Sequence, residues 1–256
     1  MTDDGRKFIF DPEWRITLFA LVMVPLMVFL GFWQLQRADE KAALAAASEQ
    51  RRQQSPVPLD ELWETPGDAL AYRPVQLTGR FLPDEYFLLD NRMHRGRFGY
   101  EVVGIMQLAG SSGFVLINRG WIAGDPARLL QPRVPAIGDR VTVSGHVYVA
   151  PGNPYLLAEQ DLGAGWPKLL QALEMDKLLP VLERQLGSRV FPYPVRIDGA
   201  APGALTVDWQ VVNVSPEKHR GYAVQWFTMA LFLAIFYLLR CTNLWQLVKG
   251  SGESRN

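Results

Sequence analysis

"ITLFALVMVPLMVFLGFWQL", residues Ile16 to Leu35, runs for twenty residues without a charged side chain. At 1.5 Å per residue, a helix of about 20 residues crosses a hydrocarbon core roughly 30 Å thick. A cleaved signal peptide is the competing reading, but its apolar core is usually about 7–15 residues long. The small-residue tract Leu44–Ser48 also lies well past the end of the run. The segment is therefore read as a membrane anchor, bent where Pro25 removes a backbone donor. A second run, "YAVQWFTMALFLAIFYLL", covers the eighteen residues Tyr222–Leu239. Tyr222, Trp226 and Tyr237 lie near its ends, where amphipathic rings favour the headgroup zone, and Trp33 and Trp245 flank the two runs likewise. Two spans put both termini on one side of a membrane and the intervening stretch on the other.

Charge does not say which side is which. Arg6, Lys7, Arg15, Arg240, Lys249 and Arg255 flank the spans on the terminal side, six cations against Arg37, Lys41, Arg51, Arg52, Lys218 and Arg220 on the other. The positive-inside rule is silent on such a balance. Over all 256 residues, 26 Lys and Arg balance 26 Asp and Glu, which excludes the strongly basic class of nucleic-acid proteins. One cysteine, Cys241, allows no intrachain disulfide and leaves the redox compartment open.

Between the runs the period changes. "RADEKAALAAASEQRRQQ" after the first span has the composition of a helix continuing into water until "SPVP", Ser55–Pro58, stops it. Segments near Val75–Phe81, Tyr86–Asn91, Tyr100–Leu108, Phe114–Ile122, Val141–Val149, Phe191–Ile197 and Thr206–Val214 are rich in β-branched and aromatic residues. They are bounded by turn chemistries such as "LPDE", "AGSSG" and "AIGD". Clean alternation over Val141–Val149 predicts one buried face, with His146 in the pattern. Seven short strands at this spacing predict a small antiparallel barrel or sandwich. One helix, Pro167–Gly187, interrupts them, divided or kinked at Pro180.

Catalytic patterns are missing. The chain has no G-x-S-x-G, H-E-x-x-H, phosphate-binding glycine loop or C-x-x-C-H, and its three histidines, His94, His146 and His219, are scattered. This argues against an enzyme and against a compact zinc site. Two polar clusters stand out in the middle. "DNRMHRGRFGYEV", Asp90–Val102, reads as a surface hairpin, or as a cationic loop gripping a carboxylate. "INRGWI", Ile117–Ile122, reads as a structural pairing of Arg119 with Trp121.

The lip of the second span, "SPEKHRGYAVQWF" at Ser215–Phe227, carries a histidine among charges. Ser215 is a plausible N-cap with Pro216 at the first helical position, so His219 falls in the first turn, where the helix dipole disfavours imidazolium. Neutral imidazole is the form that ligates metal. Ala223, Trp226, Ala230 and Leu233 share the His219 face. The small residues there either let the first span pack closely or leave a flat strip for a planar macrocycle, with His219 as axial ligand and Lys218, Arg220 or Arg37 near its propionates.

"GFWQLQR" at Gly31–Arg37, "GRFGYEV" at Gly96–Val102, "VLINRGWI" at Val115–Ile122 and "EKHRGYAVQWF" at Glu217–Phe227 resemble the signature blocks of the Surfeit locus protein family, in the family's order. The resemblance implies a cytochrome c oxidase assembly factor, with bacterial members binding haem a through the histidine of the last block. Carried onto this sequence, that residue is His219 (the haem-iron ligand), with Trp226 beside it. The implied action is non-covalent holding of haem a and its delivery to the catalytic subunit of a haem–copper oxidase, with haem a synthase as a further partner. A haem-free membrane scaffold for the nascent oxidase subunit is the alternative.

The expected fold class is thus membrane α+β. The order is a cytoplasmic segment at 1–15, a transmembrane helix at 16–35 and a helical extension and linker at 36–58. A β-rich periplasmic domain at 59–214, a second transmembrane helix with its lip at 215–239 and a cytoplasmic tail at 240–256 follow. The bacterial inner membrane and its lipid are the implied surroundings.

Overall fold

The computed structural model describes residues 9–152, 156, 160, 165–209 and 214–243. The chain divides into two compact units, one formed by residues 1–46 and 212–256 and the other by residues 47–211.

The first unit is an antiparallel pair of helices. Helix α1, Trp14–Arg52, carries the first apolar run and its polar continuation, and its last turns belong to the second unit. Helix α4, Pro216–Cys241, carries the second run. Both are long and apolar enough to cross a membrane. Small residues let the two approach. Gly31 is buried on α1, and a Cβ there would sit 2.5 Å from the Phe227 ring, closer than any real contact allows. Phe32 meets Phe227 edge to face at 5.2 Å, and the Tyr237 hydroxyl donates to Thr17 Oγ1 at 3.2 Å. Ala223 and Ala230 are 1% and 4% exposed while most of α4 lies open. Of the two roles open to these alanines, helix packing is the one they fill. Beyond the helices, Phe10 and Thr242 form an antiparallel bridge that ties the two ends of the pair.

The second unit is a mixed sheet. Its strands are β1 (Val57–Pro58), β2 (Pro74–His94), β3 (Arg97–Leu108), β4 (Phe114–Ala123), β5 (Val141–Val147), β6 (Lys168–Leu170) and β7 (Val195–Ile197). Pro74–Gly79 of β2 pair antiparallel with β5, and from Gly79 to His94 the strand pairs antiparallel with β3 across two register shifts. From β3 the ladder passes to β4, then parallel to β7, then antiparallel back to β5. The expected antiparallel arrangement is therefore corrected to a mixed one, because β1, β6 and β7 each run parallel to a neighbour.

Three further expectations change. "LPDE" was expected to separate two strands, but β2 runs through it as a bulge, with Asp84 at φ +58° and a register shift between Phe81 and Tyr86. The N-terminal part of the expected helix Pro167–Gly187 is strand β6, whose Leu170 is buried beside β2. The helix itself is α3, Met175–Leu186, closed by Gly187 in the left-handed conformation. Thr206 contributes only a bridge to Trp121, and residues 210–213 of that expected strand lie outside the described residues.

Both faces of the sheet are covered. Val115 and Ile117 of β4 join Val75, Leu77, Val143, Phe191 and Val195 in one apolar cluster. Their neighbours Phe114 and Leu116 join Phe87, Val103, Leu178 and Leu182 in another. Successive residues point to opposite faces, so a strand buried throughout reads as a continuous apolar run, as "FVLI" does. Helix α3 lends Leu178 and Leu182, one turn apart, to the second cluster.

Candidate functional site

His219 stands in the first turn of α4, after Ser215 at the cap position and Pro216 at the first helical position. The Ser215 side chain makes no capping bond, while its carbonyl accepts from Lys218 N at 3.1 Å. The ring is half-buried, and its Nδ1 lies 2.7 Å from Gln34 Oε1 on α1. With the amide oxygen as acceptor, Nδ1 carries the hydrogen and Nε2 keeps its lone pair. A partner that fixes the imidazole and leaves its other nitrogen free is the arrangement found behind metal-ligating histidines. The arrangement offers one imidazole nitrogen as a donor.

The other expected residues sit around this pair unequally. Trp226 lies two turns along α4 from His219 and is half-buried. Lys218 and Arg220 are exposed beside His219. Arg37, one turn past Gln34, is engaged within its own helix: Nη1 is 2.7 Å from Glu40 Oε2 and the guanidinium lies 5.7 Å from the Trp33 ring centre. Since Ala223 is buried in the helix pair, a flat ligand at Nε2 has no alanine strip to lie on there. Gln34 escaped sequence reasoning because a lone glutamine near the end of an apolar run looks like an interface residue. Its pairing with a residue 185 positions away is a tertiary fact.

In the second unit, the arginine-rich stretch is a tight hairpin. Arg95 and Gly96 take φ +49° and +77° between His94 and Arg97, the pair of left-handed residues that a two-residue turn requires. Arg95 and Arg97 are exposed, whereas Arg92 is half-buried and donates through Nη2 to Gln171 O at 3.0 Å. Arg119 does not pair with Trp121 as the sequence suggested. It is 6% exposed, donates to the carbonyls of Gly203 and Pro135 at 2.9 Å each, and faces the Phe81 ring at 5.7 Å. Burial lowers its pKa to about 10. Trp121 instead packs on His94 at 5.2 Å and donates to Arg92 O at 2.9 Å, with Gly99 beneath it leaving no room for a side chain. Among the described residues, no three of His, Cys, Asp and Glu gather as a metal site.

Two apolar helices, a mixed-sheet unit, and a histidine held by a glutamine across the helix pair define the class. The chain belongs to the SURF1 family, whose match covers residues 21–231. A SURF1-like protein of Rickettsia felis is 31% identical over 90% of this chain and 98% of its own length. A SURF1-like protein of Dictyostelium discoideum is 33% identical over 40% of this chain and 41% of its own. The yeast Saccharomyces cerevisiae protein named cytochrome oxidase assembly protein SHY1 is 35% identical over 43% of this chain and 28% of its own.

Proposed function

We propose that this protein is a cytochrome c oxidase assembly factor that holds haem a without covalent attachment and yields it to the oxidase catalytic subunit. The oxidase role is supported by family membership and by the name of the yeast relative. The haem reading rests on one observation, the 2.7 Å contact that fixes His219 through Nδ1 and leaves Nε2 available. Bound haem would supply an iron that accepts that nitrogen. Gln34 orients the ring and sets its tautomer, Trp226 offers an aromatic edge, and Lys218 and Arg220 offer exposed cations for the propionates. On this reading α1 and α4 span the bacterial inner membrane and the sheet unit faces the periplasm. The circuit of pairings through β2, β3, β4, β7 and β5 supports a small closed barrel for that unit. The buried Ala223 and Ala230, closed to a flat ligand, favour as second reading a haem-free scaffold that docks the nascent oxidase subunit through its β domain or spans.

Co-expression with haem a synthesis, purification and visible absorption separate the two. A Soret band in the wild-type protein that disappears in His219→Ala, with membrane insertion intact, is expected. A band of equal strength in that variant overturns the assignment, and no band in either favours the scaffold. Gln34→Leu should weaken haem retention by about 10- to 100-fold, the usual loss when the partner of a ligating histidine is removed.

A further inference from the structure

A second site of a different kind lies inside the sheet unit. A cavity of about 720 Å³ opens between strand β7, the end of β2 and the N-terminal end of α3. A smaller one, about 240 Å³, lies beyond it, and Arg92, Glu101 and Arg196 line both. The larger has the size of small-molecule sites, about 300–1,000 Å³. Leu89, Leu173, Leu179 and Tyr193 give it apolar wall.

Its polar floor is short of negative charge. Arg196, on β7, is held by aromatic rings, with its guanidinium 3.6 Å from the Tyr148 ring centre and 5.0 Å from that of Trp209. Its Nε is buried and, among the described residues, has no hydrogen-bond acceptor. Arg92 Nε is buried and unaccepted in the same way, its nearest carboxylate oxygen, Glu101 Oε1, standing 3.8 Å off. The other oxygen of Glu101 is taken by Asn118 Nδ2 at 2.7 Å. At the rim, Glu174 is engaged by Lys177 at 2.8 Å and by Gln160 at 3.0 Å, and Asp176 is exposed. The floor thus holds two guanidinium groups against one carboxylate, with two buried N–H donors unanswered. An unmet buried donor costs about 1–3 kcal/mol, more when it is charged, so such pairs are kept where something accepts from them. Burial, with Arg92 close by, also depresses the Arg196 pKa.

We propose that this cavity is a binding site for a small amphipathic carboxylate, its anionic end received by Arg92 and Arg196 and its apolar body lying along Leu89, Leu173 and Leu179. A planar carboxylate matches the guanidinium fork, which a single positive point charge does not. Glu101 and Glu174 in the lining disfavour a doubly charged phosphate. The site is independent of His219 and of haem.

The test uses the full chain in lipid nanodiscs, titrated with 4-phenylbutyrate and separately with its neutral amide, followed by calorimetry. Saturable binding of the acid at least about tenfold tighter than the amide is expected, since charge-assisted bidentate bonds supply about that margin. Arg196→Lys and Arg92→Lys keep the charge and remove the fork, and each should weaken the acid toward the amide. Equal binding of acid and amide overturns the proposal, as does the lack of saturable binding at millimolar concentration. Because the first comparison needs only wild-type protein, a misfolded variant does not blunt it. A colourless probe without metal also separates this outcome from that of the haem assignment.

Discussion

His146 shows how burial turns one side chain into a pH sensor of the fold. It is 3% exposed, stacks on Tyr72, and its Nδ1 stands 3.8 Å from Asp198 Oδ1, beyond hydrogen-bond reach. Burial therefore holds its pKa below the model-peptide value of 6.5, outweighing the attraction of Asp198. The unfolded chain binds a proton that the folded one refuses in the window below pH 6.5, so the contribution is whole above that value and is lost as pH falls through the folded pKa. The thermal midpoint of the detergent-solubilised protein should drop between pH 7 and pH 5, and His146→Gln should flatten that slope; an unchanged slope contradicts it. Alternation in "VTVSGHVYV" flagged a buried face at this strand. That His146 is buried on the opposite face from Val143 and Val147 was not legible, because a strand covered on both sides loses its polar signal. Arg196 is a similar case: nothing in "YPVRID" distinguishes it until Tyr148 and Trp209 are folded against it.

Among the elements, the helix pair depends on close approach at Gly31. Gly31→Leu would drive its side chain into Phe227 and should push α1 and α4 apart, lowering the thermal midpoint and loosening the His219–Gln34 contact with it. A midpoint and haem retention equal to wild type would show the pair is held otherwise. In the sheet, Leu116→Ala removes a fully buried side chain from the α3-facing cluster and should cost about 2–5 kcal/mol by denaturant titration. A loss under about 1 kcal/mol would place Leu116 outside the core. Both helices were legible from hydropathy alone, as were β3 and β4 from their β-branched runs. The bulge in β2 was not, since Pro and Asp give the same local signal in a turn and in a bulge, and only pairing with β3 tells them apart. Strand β6 was misread as helix because "KLL" has no period, and its three residues take their pairing from Phe87–Leu89, far away in sequence.

For the whole molecule, the proposed two-span arrangement makes a topological prediction that the single cysteine renders clean. In a Cys241→Ser background, a cysteine placed at Leu129, 82% exposed, should react with a membrane-impermeant maleimide in intact spheroplasts. One placed at Phe10, 52% exposed, should react only after the membrane is broken. Labelling of both positions in intact spheroplasts would remove the two-span reading. The four sequence blocks that resemble the family sit on both units: Gln34 and His219 in the helix pair, Gly99 and Trp121 packed together in the sheet. Two of the blocks build a hairpin and the strand beneath it, and they place Glu101 and Asn118 in the cavity lining, which a string of residues does not announce.

The proposed haem chemistry passes through the Nε2 nitrogen of His219, and nitrogen NMR of the protein labelled with ¹⁵N-histidine observes it directly. Three imidazoles give few signals, and His219→Gln identifies the one that matters. The tautomer with hydrogen on Nδ1 and a bare Nε2 is the expected result. Hydrogen on Nε2, with Nδ1 bare toward Gln34, would contradict the account.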